Sequence, residues 1–300
     1  MREAGDVIAL EQRGVGLSEP NLDCPGTLGF PLTSPGDRMP LLAVFNKKSR
    51  ECAAYWRTRG IDLMAYNVVQ SAHNVNSLRQ ALGVEKVRLW GSSYGTTLGL
   101  DVIRYYGANV DGAVLAGVDG PNDTLKLPST AERQLRTLAK LVVDNPSLRH
   151  EIPDLKDLVR RVLAAAEANP FIVPFTNAKS KSTTGLTLGR FDFEQLVISM
   201  LGDVCPAWGV PSLPAHDRTP VHSDVPTLFI SGTLDGRTPP ENAQEVRRGF
   251  PHSYEVLIEG AGHGNDLFVS SPDIQKVMVE FMETRRIVEN RITLPLLRFR

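Results

Sequence analysis

Four short segments with strand-like patterns, at residues 84–90, 111–117, 226–232 and 254–258, each end at or within two residues of a glycine. Runs of this length, closed by a turn residue, predict strands. A fifth run, at residues 6–10, is the first strand the chain offers. The helical 3.6-residue period takes over between the runs, as at residues 96–106 up to Gly107. Alternation of this kind before residue 120 and after residue 225 predicts a mostly parallel α/β sheet flanked by helices on both faces. Between residues 121 and 220 the strand signals stop. Two helical stretches, near 130–143 and 153–168, are followed by a polar loop at 179–185, an apolar helix around 192–201 and a proline-rich segment at 205–220. The expected organisation is therefore a core from residues 1–120 and 221–300, interrupted by a mainly helical cap at 121–220.

Composition changes this picture little. A chain of 300 residues, 42% hydrophobic and 22% charged, has ample material for one α/β core and an insertion. No run approaches the roughly 18 apolar residues of a membrane span. A formal net charge of −1 leaves no electrostatic footprint for nucleic acid. The first five residues carry no apolar signal region, so the chain as written is expected to be cytoplasmic, or secreted if its amino terminus is incomplete. Cys24, Cys52 and Cys205 lack C-x-x-C spacing and do not cluster with the six histidines, so no metal and no cofactor are expected. Cys24 and Cys52 can pair in an oxidising compartment; without an export signal, free thiols are the favoured expectation. The arginine-rich end, with Arg285, Arg286, Arg291 and residues 294–300, is expected to be a loosely packed tail rather than a membrane or partner contact.

The chemistry enters at Gly91-Ser92-Ser93-Tyr94-Gly95. This G-x-S-x-G sequence lies between a predicted strand and a predicted helix, the context of a sharp turn that exposes a serine hydroxyl. The glycines are expected to make room around a strained Ser93 backbone. A serine hydroxyl needs a base to take its proton, and the base needs a carboxylate to orient it. Asp235 and His263 supply these types, each just past the carboxyl end of a predicted strand and in the order Ser, Asp, His. Asp119, which also follows a strand, is the other candidate acid and otherwise caps a turn. His73 is expected to be a packed helix residue, and His150, His216, His222 and His252 to be solvated. Glu194 is a candidate anchor for a substrate amine and Asp203 lies nearby, whereas Trp208 is expected to be structural.

These segments, together with Glu11-Gln12-Arg13-Gly14-Val15-Gly16-Leu17-Ser18, residues 78–83 and Gly260-Ala261-Gly262-His263-Gly264, resemble the α/β-hydrolase superfamily. Within it, the Gln-Arg-Gly loop and the Ser-Tyr-Gly-Thr turn resemble the prolyl-aminopeptidase and tripeptidyl-aminopeptidase-like group. The resemblance implies a cap at the same place, and acyl transfer by Ser93, His263 and Asp235. It also implies a His-Gly loop before the Gln-Arg-Gly segment that donates one oxyanion-hole amide, and here no His-Gly dipeptide precedes residue 11. The Tyr94 N–H, just after the nucleophile, is expected to be one donor. Either the second is missing, or the strand at 6–10 moves in beside the 84–90 strand and presents the Gly14 and Val15 amides. A missing donor costs about 2.7–4 kcal/mol in the transition state. Small esters, with better leaving groups than amides, are therefore the favoured substrates; peptide amino termini are the alternative. A catalytically silent binding protein is the third reading. An uncovered sheet edge would favour a homo-oligomer.

Overall fold

The computed structural model describes residues 4–26, 33–123, 128–178, 180–197 and 207–295. The chain forms two compact units, each assembled from separate stretches. The first comprises Met1–Asp23, Met64–Leu125 and Ser212–Arg300; the second comprises Cys24–Leu63 and Lys126–Pro211.

The first unit is built on a parallel sheet of β1 (Val87–Ser92), β2 (Val110–Ala116), β5 (Thr227–Gly232), β6 (Ser253–Glu259) and β7 (Arg291–Thr293), in the order β1-β2-β5-β6-β7. The period of two along β2 divides the core. Val114 and Ala116 pack with Leu228, Ile230, Val256 and Ile258 against Ile274, Val277, Met278 and Phe281 of helix α9 (Pro272–Thr284). Ala113 and Leu115 face the other way, with Phe229, toward α2 (Val68–Ala81), α3 (Tyr94–Tyr106) and α8 (Pro240–Arg247) through Ala72, Leu100, Ile103, Ala243 and Val246. Burial on both faces explains why β2 and β5 read as uninterrupted apolar runs. No described helix is long and apolar enough to cross a membrane.

Three expectations for this unit are corrected. Residues 6–10 form no strand, and Val7 and Ile8 are each 55% exposed. An extended segment persists as a strand only when a neighbour takes its backbone groups, and no described strand pairs with this one. It therefore does not occupy the place beside β1, whose outer edge pairs with no described strand. The arginine-rich end is not wholly a loose tail, because Arg291–Thr293 adds β7 to the sheet and buries Ile292. Residues 296–300 lie outside the described part. Arg285, expected in the same tail, ends α9 in a left-handed conformation and donates to the Asp111 and Phe281 carbonyls and to the Asp111 carboxylate.

The second unit holds α1 (Arg38–Arg57), α4 (Pro128–Asp144), α5 (Leu148–Glu151), α6 (Leu155–Ala168) and α7 (Arg190–Val197). It also holds an antiparallel hairpin of β3 (Phe171–Thr176) and β4 (Thr183–Leu188), where only a polar loop and no strands were expected. Its strands are hard to read: β3 contains Pro174, tolerated because β3 is an edge, and β4 is rich in threonine rather than large apolar residues. Cys24 and Cys52 are joined in a disulfide, correcting the expectation of free thiols. Cys52 sits on the buried stripe of α1 with Leu42, Ser49 and Ala53, so the bridge ties the chain before the helix to its inner face.

The bridge closes a 28-residue separation, and a loop of this size contributes about 3.6 kcal/mol when its closure restricts the unfolded chain. Alkylation of the unfolded, unreduced protein should modify one cysteine, and alkylation after reduction three, as read by mass spectrometry. Cys52→Ser should lower the unfolding midpoint, measured by circular dichroism, by an amount that matches that stabilisation.

Candidate active site

The turn after β1 has the strain its sequence implies. Ser93 has φ 51° and ψ −122°, a region that a side chain other than glycine's rarely occupies. Its surroundings over-determine that conformation. The Ser93 N–H donates to the Ala116 carbonyl at the end of β2 (3.0 Å), while the Ser93 carbonyl accepts from the Thr96 N–H (2.8 Å) and the Thr96 hydroxyl (2.6 Å). Thr96 is itself fixed, accepting from the Asp119 N–H at 2.8 Å. The two glycines of the motif differ. A Cβ on Gly91 would lie 2.4 Å from the Gly95 carbonyl oxygen, whereas a Cβ on Gly95 would meet nothing within 4 Å. The expectation that both make room for the turn therefore holds for Gly91 alone.

β5 and β6 carry the other two side chains. The strands pair from Thr227–Ser253 to Gly232–Ile258, so the loops that follow them leave the same end of the sheet. Those loops are stitched together: the Leu234 N–H donates to the Ala261 carbonyl (2.8 Å), and the Gly260 N–H to the Thr233 hydroxyl (3.0 Å). The outcome is one hydrogen-bonded chain. Ser93 Oγ lies 3.0 Å from His263 Nε2, and His263 Nδ1 lies 2.9 Å from Asp235 Oδ2. The Asp235 side chain is fully buried and that of His263 is 19% exposed. The acid that holds His263 Nδ1 in this arrangement is Asp235. The Asp119 carbonyl accepts from the Thr97 hydroxyl at 3.0 Å.

Asp235 is held ionised against its burial. Desolvation raises its pKa, but the hydrogen bonds from His263 and from the side chain and backbone of Thr238 prevail, and the net value falls below the ordinary 3.8. Oδ1 accepts from the Arg237 and Thr238 N–H groups, each at 2.9 Å, and Oδ2 from the Thr238 hydroxyl at 2.7 Å. Sequence reasoning does not single out Thr238. The available signal is its position three residues after an aspartate, where an Asx turn places a backbone donor and a hydroxyl back on the carboxylate.

Tyr94 opens helix α3, and its N–H has no backbone partner among the described residues. Gly14 and Val15 belong to a separate turn. The Val15 N–H donates to the Gln12 carbonyl at 3.2 Å, and the Gly14 carbonyl accepts from Leu22 at 2.9 Å. Arg13 reaches the Ala65 carbonyl and the Asn74 side chain. In the second unit Glu194 is paired with Arg190 at 2.8 Å, and the Trp208 carbonyl accepts from Arg57. Asp203 and Cys205 lie outside the described residues. His73 is packed, 2.8 Å from the Tyr106 hydroxyl and edge-on to Tyr105 and Tyr106. His150, His222 and His252 are exposed, and His216, also exposed, pairs with Asp217 at 3.1 Å. Among the described residues no group of three or more His, Cys, Asp or Glu is placed to hold a metal ion.

Two outcomes follow from this geometry. Gly91→Ala should lose at least about 2 kcal/mol of unfolding free energy in urea titrations, because the contact it creates is with backbone, whereas Gly95→Ala should stay within about 1 kcal/mol of the parent. The Asp235 carboxylate is more acidic folded than unfolded, so its stabilisation is complete above 3.8 and is lost as the pH falls through the lower folded value. The stability difference between the parent and Asp235→Asn should therefore shrink on acidification below pH 3.8, as followed by denaturant titration across pH.

Residues 4–265 match the family model described as alpha/beta hydrolase fold. No curated protein matches the chain. Similar solved structures include MGS-M2, an alpha/beta hydrolase enzyme from a Medee basin deep-sea metagenome library. It is 15% identical, with 75% of this chain and 74% of that chain covered and a TM-score of 0.39. A marine microorganism esterase is 20% identical over 70% and 76%, with a TM-score of 0.35. An epoxide hydrolase of Bacillus megaterium is 14% identical over 75% and 78%, with a TM-score of 0.41. Likenesses at these identities and scores carry no argument about substrate. The match over residues 4–265, most of the chain, shows that this protein belongs to the alpha/beta hydrolase fold family.

Proposed function

We propose that the protein is a serine hydrolase that cleaves small carboxylic esters by two-step acyl transfer. The observation that carries this reading is the unbroken chain from Ser93 Oγ through both nitrogens of His263 to Asp235. Ser93 Oγ forms a bond to the ester carbonyl carbon as His263 Nε2 takes its proton, and Asp235 stabilises the resulting imidazolium. The carbonyl electron pair moves onto oxygen, within reach of the Tyr94 N–H at the start of α3. The tetrahedral species collapses, the C–O bond to the alcohol breaks, and His263 protonates the departing alkoxide. Water then repeats the sequence on the acyl-serine and releases the acid.

The preference for esters over peptides rests on the donors. Tyr94 supplies one amide next to the nucleophile, and of the two other amides considered, that of Val15 is spent within its own turn. An alkoxide leaves more readily than an amide nitrogen, so a site with weaker oxyanion stabilisation retains ester turnover first. Residues 121–220 are read as the cap of this hydrolase, a reading supported by residues 126–211 falling in one compact unit, together with Cys24–Leu63.

The test compares hydrolysis of a short-chain p-nitrophenyl ester with that of prolyl and tripeptidyl anilides, for the parent and Ser93→Ala. Ester turnover that drops at least about 10⁴-fold in Ser93→Ala, without anilide cleavage, is the expected result. Anilide cleavage would replace the ester reading with an aminopeptidase. Absence of Ser93-dependent turnover on every substrate would overturn the reading.

A further inference from the structure

Thr238 makes more contacts with the hydrogen-bonded chain than any assigned role requires. It is 1% exposed, its N–H donates to Asp235 Oδ1, and its hydroxyl lies 2.7 Å from Asp235 Oδ2 and 3.0 Å from His263 Nδ1. A threonine hydroxyl has one proton to give. The nearer acceptor is a buried, ionised carboxylate, and hydrogen bonds to charged acceptors are the stronger ones. The hydroxyl proton therefore goes to Asp235, and the oxygen turns its lone pairs toward His263 Nδ1.

His263 Nδ1 then faces two acceptors, Asp235 Oδ2 at 2.9 Å and Thr238 Oγ1 at 3.0 Å, with the hydroxyl proton already committed. An unprotonated Nδ1 would leave lone pairs facing lone pairs in a buried site. The neutral ring must therefore carry its proton on Nδ1, which leaves Nε2 bare toward Ser93 Oγ. The Asp235 carboxylate alone favours that tautomer. The hydroxyl adds to it in two ways, by satisfying the fourth acceptor direction of the carboxylate and by closing the space through which the ring could swing.

The surroundings fit that second role. A Cβ on Gly117, at the end of β2, would lie 3.0 Å from Thr238 Oγ1 and 3.3 Å from His263 Cε1. Gly117 has φ 61°, a conformation that favours glycine, so the position next to the hydroxyl and the imidazole carries no side chain. The hydroxyl and the ring thus share the space beside Gly117, where any side chain would crowd both.

We infer that Thr238 is a positioning residue whose hydroxyl locks the tautomer and orientation of His263. The inference deepens the acyl-transfer reading and rests on it for its kinetic consequence. It does not touch substrate, and it acts through Asp235 and His263.

The experiment uses the full chain as parent, Thr238→Val and Thr238→Ser. Valine keeps the shape and the backbone donor but loses the hydroxyl; serine keeps the hydroxyl. Thr238→Val should lower kcat on the p-nitrophenyl ester roughly 10- to 100-fold with little change in KM, as expected for one hydrogen bond to a charged group. Thr238→Ser should recover kcat to within about threefold of the parent. Equal losses in both variants, or no loss in Thr238→Val, would overturn the role. Nitrogen-15 NMR of the His263 ring, read at neutral pH, gives an answer independent of turnover. The parent should show Nδ1 protonated and Nε2 bare, and Thr238→Val should show the other tautomer gaining population. A parent ring protonated on Nε2 would overturn the lock even if Thr238→Val failed to fold. If the parent showed no Ser93-dependent turnover, the hydrolase reading would fall, and the tautomer measurement would still decide the role of Thr238.

Discussion

The geometry of the site depends on the backbone at Ser93. A positive φ at a residue with a side chain costs roughly 1–3 kcal/mol and persists only where neighbours fix it. Here the neighbours are the end of β2 and the first turn of α3, which hold the Ser93 N–H and carbonyl from opposite sides. Relaxing that residue would swing Oγ out of reach of His263 while leaving sheet and helices intact. The strain is affordable because β1 and β2 are locked in register from Arg88–Gly112 to Ser92–Ala116, and α3 is anchored through Leu100 and Ile103 in the core.

That constraint reaches the other two side chains through the sheet. β2 pairs with β5, and β5 with β6, so Asp235 and His263 inherit their positions from the same ladder that positions Ser93. The face packed on α9 and the face packed on α2, α3 and α8 are both apolar, so it is the fit of particular side chains to each set of helices, rather than polarity, that resists a one-residue slip. Arg285 adds a polar restraint at the far end, joining the carboxyl terminus of α9 to the start of β2.

The core and the site were legible in the sequence to different depths, for physical reasons. β2 and β5 are buried on both faces, so their composition alone announces them, and the sharp turn at Ser93 needs Gly91 for a steric reason that a motif records. The loop order of Asp235 and His263 follows from parallel strands, whose functional loops leave one end of the sheet. Residues 6–10 have the composition of a strand, but a strand requires a partner, and partner availability is not a local property. The hairpin of β3 and β4 hides behind Pro174 and a threonine-rich strand. The three residues of β7 are too few for a period of two to register. The disulfide depends on a loop folding back onto α1, and Thr238 on a turn that brings a hydroxyl back to a carboxylate.

The two compact units are interleaved along the chain, and this has a consequence for how the protein is made. β2 ends at Ala116, and its neighbour β5 begins at Thr227, with the 126–211 stretch of the second unit between them. At translation rates of about 5–20 residues per second, the apolar edge of β2 waits on the order of 5–20 s for its partner. The second unit also closes late, because Cys24–Leu63 belongs with residues emerging up to 211. Pairings so distant in sequence are slow to form and leave strand edges open in the interval. The most vulnerable period for this fold is therefore its own synthesis, when a strand buried on both faces in the finished protein stands half covered.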